Sequence, residues 1–205
     1  MSTAEDVLEF WLGDTRRDID SIPQRMEFWF ASGAQQDQPI RDQFGDDVVA
    51  ARDGRLDDWA EAPEGCLGLI ILLDQFTRNI YRGAAEAFAS DNRSLSLSQA
   101  GIVAGHDGRL GPVEKVFFYM PMQHAESLAV QMQSVSLYEA LADSVPESSR
   151  EFFDGGFAHH ARLHRDIIAR FGRFPHRNAI LGRESTAEEA EYLAGDAPTF
   201  GQKQT

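Results

Sequence analysis

The stretch PEGCLGLIILLDQFTRNIYR, residues 63–82, decides the fold of this chain. It is almost entirely apolar up to Asp74, which is typical of a buried strand or of a buried helix. The polar half favours the helix, because Asp74, Arg78 and Arg82 follow one another at four-residue intervals and so form a single row along a helix. We therefore predict a buried central helix over residues 63–81.

Turn and capping signals divide the rest of the chain into further helical lengths. Thr3 precedes Asp6 by three residues, which is a capping-box pattern, and Ser185 with Glu188 repeats that pattern near the other end. Prolines in first turns and glycines at helix ends supply the remaining boundaries. The predicted helices cover about residues 3–13, 21–33, 39–54, 63–81, 90–105, 111–143, 147–171 and 185–195.

Two of these predicted helices carry an internal breaking signal. Pro121 lies inside the sixth helix and removes one backbone hydrogen bond, so we expect a kink there. The pair Gly155–Gly156 is a possible break in the seventh helix. No strand pattern and no interdomain linker is found. We predict an all-α protein of about eight helices in stacked antiparallel pairs, as one domain over residues 1–205 with a short disordered tail after about 196.

The composition describes a globular protein with an acidic surface. The chain has 205 residues, 42% of them hydrophobic, and a formal net charge of −14. A negative surface repels nucleic-acid phosphates and anionic lipid, so we expect neither nucleic acid nor membrane as a partner. The longest apolar run, residues 66–73, is too short to cross a bilayer.

Several kinds of chemistry have no motif in this sequence. There is no G-x-x-x-x-G-K-[ST] phosphate loop, G-x-S-x-G elbow or H-E-x-x-H zinc helix, and no G-x-G-x-x-G follows a strand. The single cysteine, Cys66, leaves no cysteine pair for a disulfide or for zinc. The N-terminus is acidic and does not have the basic start of a signal peptide. We expect a cytoplasmic protein without a cofactor.

A basic segment interrupts this acidic chain at residues 159–183, which hold six arginines but only one acidic residue. Arginine binds carboxylate or phosphate through two parallel hydrogen bonds, so the segment could form an anion-binding wall. Alternatively, its arginines pair with acidic side chains of the protein. Together with the polar row of the central helix, the candidate ligand-binding residues are Arg78, Asn79, Arg82, Arg173, His176, Arg177, Asn178 and Arg183.

Histidines and carboxylates supply candidates for acid–base chemistry. His124 and Glu126 follow Pro121, where a kink would leave room for water, and Asp74 and His164 complete the candidate catalytic set. These groups could equally be hydrogen-bonded core residues. His164 also lies four residues after His160, a spacing that can hold a metal. Two such histidines more often bond to carboxylates or backbone, so the pair is a weak candidate and we predict no metal.

Four long motifs resemble one bacterial family. They are VLEFWLGD at residues 7–14, ILLDQFTRNIYRG at 71–83, FFYMPMQHAES at 117–127 and RFGRFPHRNAILGRESTAEEAEYL at 170–193. Together they resemble the family called domain of unknown function 924, over nearly the whole chain. The resemblance implies a helical superhelix of the tetratricopeptide type and carries no activity. The chain departs from the family pattern at Thr77 and Ala187, where proline is usual.

Three functions remain open from the sequence. The first is a binding module whose Arg/His-lined pocket holds an anionic small molecule or an acidic peptide. The second is a hydrolase or lyase that uses His124, Glu126 and Asp74 as acid–base groups. The third is a protein–protein scaffold, which predicts no enclosed polar pocket. Direct acid–base cooperation of His124 and Asp74 is excluded if their side chains lie more than about 10 Å apart, because proton transfer needs hydrogen-bond reach.

Overall fold

The computed structural model describes residues 1–31, 33–195, 198 and 200, and within these the fold is all-α. None of the described residues lies in a β-strand, as predicted. No helix of this part of the chain is long and apolar enough to cross a membrane. The tail predicted after about residue 196 lies largely outside the described residues.

The described residues form ten α-helices and two wider π-helical segments. The α-helices are α1 Ala4–Leu12, α2 Ile22–Phe30, α3 Ala34–Arg52, α4 Pro63–Ile70, α5 Thr77–Ile80, α6 Asp91–Val103, α7 Pro112–Gln123, α8 Leu128–Ser144, α9 His159–Phe171 and α10 Ala187–Ala194. The π-helical segments are Ile71–Phe76, between α4 and α5, and Glu151–Ala158, which runs into α9.

The predicted central helix is confirmed as the continuous run of α4, a π-helical segment and α5. Helix α1 packs against α4, where Gly68 lets the two backbones approach: a Cβ at Gly68 would lie 3.2 Å from the Cβ of Ala4. Beyond it, the hydroxyl of Thr77 donates a hydrogen bond to the carbonyl of Leu73. The run lies in the core and its polar end is therefore surrounded by protein.

The ends of α1 and α9 also agree with the sequence. Thr3 and Asp6 form the predicted capping box at the start of α1. Gly172 ends α9 with a left-handed φ of 71°, a conformation that glycine adopts without strain. Helix α8 packs against both α7 and α9. The tetratricopeptide-like stacking of helix pairs stays a prediction.

The prediction of one kinked helix over residues 111–143 was wrong. The chain leaves the helix at Gln123 and re-enters at Leu128, so α7 and α8 are separate. Pro121 remains inside the last turn of α7. The amide of Gln131 donates to the carbonyls of Gln123 and Ala125, at 2.6 and 2.8 Å. These bonds satisfy carbonyls at the end of α7 and stabilise the break.

Three further boundaries differ from the prediction. Helix α3 begins at Ala34, which leaves Pro39 inside it near its N-terminal end. The predicted break at Gly155–Gly156 is absent, because the helix widens into a π-helical segment there and continues. The cap of α10 is Thr186 with Glu189, one residue later than predicted: the Glu189 amide donates to the Thr186 hydroxyl at 3.2 Å, and the Thr186 amide to the Glu189 carboxylate at 2.8 Å.

Candidate functional site

A pocket of about 350 Å³ opens at the polar end of the central helix. That volume is within the range of small-molecule sites. Helices α2, α5, α7 and α9 and both π-helical segments contribute to its walls. π-helical turns are frequent at functional sites. The apolar part of the lining, called the apolar wall below, includes Met26, Trp29, Phe30, Met120 and Phe157.

The polar side is built on a contact between Asp74 and His124. Asp74 lies in the first π-helical segment, is fully buried, and accepts a hydrogen bond at 2.8 Å from Nδ1 of His124, which directly follows α7. Gln75 donates to the other oxygen of Asp74 at 2.5 Å, and Arg78 lies 3.2 Å from the carboxylate. His124 lines the pocket, whereas Asp74 is not part of the lining and contacts the His124 ring from within the core.

The charges of this cluster favour a carboxylate beside a neutral imidazole. Burial alone would raise the pKa of Asp74, but Arg78 and His124 outweigh it and hold that pKa below its usual range. Burial and the Arg78 cation lower the pKa of His124, and Asp74 only partly opposes them. A carboxylate can only accept here, so the imidazole proton lies on Nδ1. No described residue hydrogen-bonds Nε2, which is left as a free lone pair.

Two further histidines line the pocket from α9. Nδ1 of His164 lies 2.7 Å from the carbonyl of His160, and Nδ1 of His160 lies 2.9 Å from the carbonyl of Gly156. The rings of His124 and His164 are 6.1 Å apart between centroids. Burial and the neighbouring His124 hold the pKa of His164 well below its usual range. Among the described residues, no three His, Cys, Asp or Glu side chains are placed to hold a metal ion.

Three predicted ligand-binding residues also line the pocket, and each has an internal partner. Arg78 contacts Asp91 at 2.9 Å in addition to Asp74. Arg82 binds Asp37 at 2.7 Å, and Asn79 donates to the same carboxylate at 2.9 Å. The row predicted from the sequence therefore does reach the pocket, but its positive charges are matched by carboxylates.

The other predicted ligand-binding residues lie outside the pocket lining. Arg173 forms two hydrogen bonds to Glu189, and Arg183 pairs with Glu126 at 2.7 Å. Arg177 is buried and contacts Asp91 at 3.0 Å. Asn178 and His176 are buried nearby, and burial together with the Arg177 cation lowers the pKa of His176 to about 3. These contacts correspond to the alternative interpretation of the basic segment, in which its arginines pair within the protein.

Glu126 is separated from the rest of the predicted acid–base set. It accepts hydrogen bonds from Arg183 and from the backbone amide of Phe174, and it does not line the pocket. The structure thus brings Asp74, His124 and His164 together and places Glu126 in a link between the α7–α8 turn and the loop after α9.

The apolar wall was not predicted from the sequence. Trp29 and Phe30 end the short helix α2, and Phe157 lies in the second π-helical segment. Phe30 is 48% exposed, which is high for a large apolar side chain, and it forms part of the pocket.

Residues 7–197 match the family described as bacterial protein of unknown function (DUF924). The chain belongs to this family. A solved structure from Agrobacterium tumefaciens, described as the protein of unknown function ATU0120, is 39% identical, with a TM-score of 0.76. The match covers 93% of this chain and 96% of the other. No functionally curated protein matches. Membership in DUF924 confirms the resemblance of the four motifs and carries no activity with it.

Proposed function

We propose that this DUF924 protein is an enzyme that binds a small organic molecule in the pocket and removes a proton from it with His124. The observation that carries the proposal is the 2.8 Å contact between His124 and the buried Asp74, beside a pocket of about 350 Å³. A buried carboxylate that fixes the tautomer of a histidine is how many enzymes prepare a general base. Hydrolysis and elimination both begin with such a proton transfer.

The proposed proton transfer is balanced within the site. A proton on substrate or on a bound water passes to Nε2 of His124, while the electron pair stays on the atom that loses it. The imidazolium that forms is stabilised by the Asp74 carboxylate, and the negative charge that develops on the substrate is stabilised by the nearby Arg78 cation. The proton returns from Nε2 to the leaving group or to the product.

A comparison of variants tests this proposal across many candidate substrates at once. Wild-type protein, His124→Gln and the control His159→Gln, which changes an exposed histidine of α9, are each incubated with a library of small metabolites and followed by mass spectrometry. We expect wild type and the control to consume at least one compound. His124→Gln should consume that compound at least about 100-fold more slowly, because a general base contributes about 10²–10⁴ in rate. No consumption by wild type, or equal consumption by His124→Gln, would contradict the proposal.

A binding module for an anionic small molecule or acidic peptide is the second candidate function. It is favoured by the position of Arg78, Asn79 and Arg82 on the pocket wall. A thermal-shift series with phosphate, acetate, citrate and acidic peptides distinguishes the two candidates. Binding without turnover, weakened by Arg82→Gln, would support the module. The scaffold hypothesis is the least supported, since it requires that no polar pocket be present.

A further inference from the structure

Beside the donors of Arg78 and Arg82, the pocket wall presents a set of hydrogen-bond acceptors on its histidines. In His124, His160 and His164, the Nδ1 atom lies against an oxygen of Asp74 or of a backbone carbonyl, and those oxygens can only accept. Each imidazole therefore holds a proton on Nδ1, and in the neutral form of the ring the Nε2 atom keeps its lone pair. No described residue bonds these Nε2 atoms, and those of His124 and His164 are not among the buried atoms without a partner. They open onto the pocket.

Two amide side chains on the same wall strengthen this bias. The nitrogen of Gln75 donates to Asp74, and the nitrogen of Asn79 donates to Asp37. Each nitrogen thus places one N–H on a carboxylate, and Gln75 also donates to the sulfur of Met120, while the amide oxygens, which accept hydrogen bonds, have no described partner. A ligand in this pocket meets acceptors on three histidines and two amides.

The fixed charges beside the pocket balance. Arg78 pairs with Asp74 and Asp91, Arg177 with Asp91, and Arg82 with Asp37. Three cations thus stand against three carboxylates, so the attraction of Arg78 and Arg82 on the pocket wall for an anion is weakened by the carboxylates that they already bind. The lining also includes Trp29, Phe30 and Phe157, which provide apolar surface for the body of a ligand.

We infer that the pocket takes an uncharged molecule with an apolar or aromatic body and a hydroxyl or N–H group, which donates a hydrogen bond to Nε2 of His164 or His124. This inference rests on the proposed function, since it names the class of substrate that His124 would deprotonate. A hydroxyl donor placed at His124 would also present the proton that the proposed reaction removes. A carboxylate of the same size has no donor for these acceptors, and an ammonium group loses hydration without meeting a carboxylate in the lining, so both should bind more weakly than the uncharged donor.

A set of matched probes tests the inference by binding alone. Benzyl alcohol, benzoate, benzylamine and toluene share one ring and differ in their polar group. Their dissociation constants for the full chain are measured at pH 8 by NMR titration. We expect benzyl alcohol to bind at least about threefold more tightly than each of the other three, in proportion to one net hydrogen bond. Benzoate or benzylamine binding as tightly as benzyl alcohol, or no binding by any probe, would overturn the inference.

A substitution at one acceptor sharpens the test. His164→Phe keeps a flat ring beside Phe174, whose ring centroid lies 5.5 Å away, but removes the lone pair. Binding of benzyl alcohol should weaken about threefold to tenfold, and binding of toluene should not change. If His164→Phe does not fold, His160→Phe at the exposed edge of the pocket makes the same comparison. Unchanged binding of benzyl alcohol in both variants would contradict the inference.

The two proposals fail in different ways. If benzoate or benzylamine is preferred, the substrate class is wrong, whereas the turnover comparison of wild type with His124→Gln is unaffected. If benzyl alcohol is preferred but His124→Gln turns substrate over as fast as wild type, the pocket still prefers uncharged hydrogen-bond donors. In that case His124 is not the general base.

Discussion

Nδ1 of His124 lies 2.8 Å from Oδ1 of Asp74, although the two residues are fifty positions apart in the chain. The pair exists because the central helix widens at Ile71–Phe76 and because α7 ends at Gln123, directly before His124. Arg78 contacts the same carboxylate from the next turn. The contact is therefore at once an orientation device for the histidine and part of a buried ion network that supports the fold.

Replacement of Asp74 by asparagine should be strongly destabilising. The change leaves Arg78 with one carboxylate partner fewer in a buried position and gives His124 a neutral neighbour. Removal of one member of a buried ion pair costs about 3–5 kcal/mol in the free energy of unfolding. Urea unfolding followed by circular dichroism measures this loss. The control Asp58→Asn changes an exposed carboxylate and should shift stability by less than about 0.5 kcal/mol. Equal effects of the two variants would show that the network contributes little.

Stability should fall as the pH decreases from about 7. Burial keeps His164 and His176 neutral in the folded protein, the pKa of His176 being lowered to about 3, whereas an unfolded histidine has a pKa of about 6.5. Below about pH 6.5 the unfolded chain therefore binds more protons than the folded chain, and the free energy of unfolding decreases. Each such histidine contributes up to about 1.4 kcal/mol per pH unit. Urea unfolding at pH 7.5, 6.5, 5.5 and 4.5 measures the slope.

A single variant identifies the contribution of His176 to this slope. His176→Phe replaces the imidazole with a ring that cannot be protonated, in a position that already contacts the ring of Phe174. Between pH 5.5 and 4.5 the free energy of unfolding of this variant should change by about 1 kcal/mol less than that of wild type. A slope equal to that of wild type would mean that His176 is protonated in the folded state.

Much of the helical fold was predictable because its signals are local. The row of Asp74, Arg78 and Arg82 and the capping box at Thr3 each depend on residues within one or two turns. The break between α7 and α8 was not predictable in this way, because it depends on Gln131. The side-chain amide of Gln131 donates to carbonyls six and eight residues earlier in the chain. Pro121 indicated a disturbance of the helix in the right region, but it predicted a kink where the chain instead leaves the helix.

The site was predictable as a set of residue types and not as an arrangement. The sequence indicated Asp74, His124 and His164, and these do meet at the pocket. It gave equal weight to Glu126, which pairs with Arg183 instead. Whether a charged residue faces a ligand or a partner in the protein depends on contacts between distant helices. Such contacts follow from the packing of the helices, and no regular residue spacing in the sequence indicates them.

Thr186→Ala should destabilise α10, and Ser185→Ala should not. The Thr186 hydroxyl accepts the hydrogen bond of the Glu189 amide, whereas Ser185 only accepts a bond from Asn178 at 3.1 Å. Loss of a threonine N-cap costs about 1 kcal/mol. Hydrogen exchange of the first amides of α10 should accelerate about fivefold in Thr186→Ala and change little in Ser185→Ala. A larger effect of Ser185→Ala than of Thr186→Ala would mean that Ser185 is the N-cap residue.

Two glycines inside helices should respond to alanine in opposite directions. A Cβ at Gly65 in α4 would overlap the backbone carbonyl of Trp59, which cannot rotate away as a side chain can. Gly65→Ala should therefore lower the free energy of unfolding by about 1–3 kcal/mol. At Gly45 in α3 nothing lies within 4 Å of the added Cβ, so alanine there gains helix propensity and should raise stability by about 0.5–1 kcal/mol. Urea unfolding of both variants beside wild type checks the pair. A stabilising Gly65→Ala would mean that α4 and the turn at Trp59 are not packed as closely as their backbones indicate.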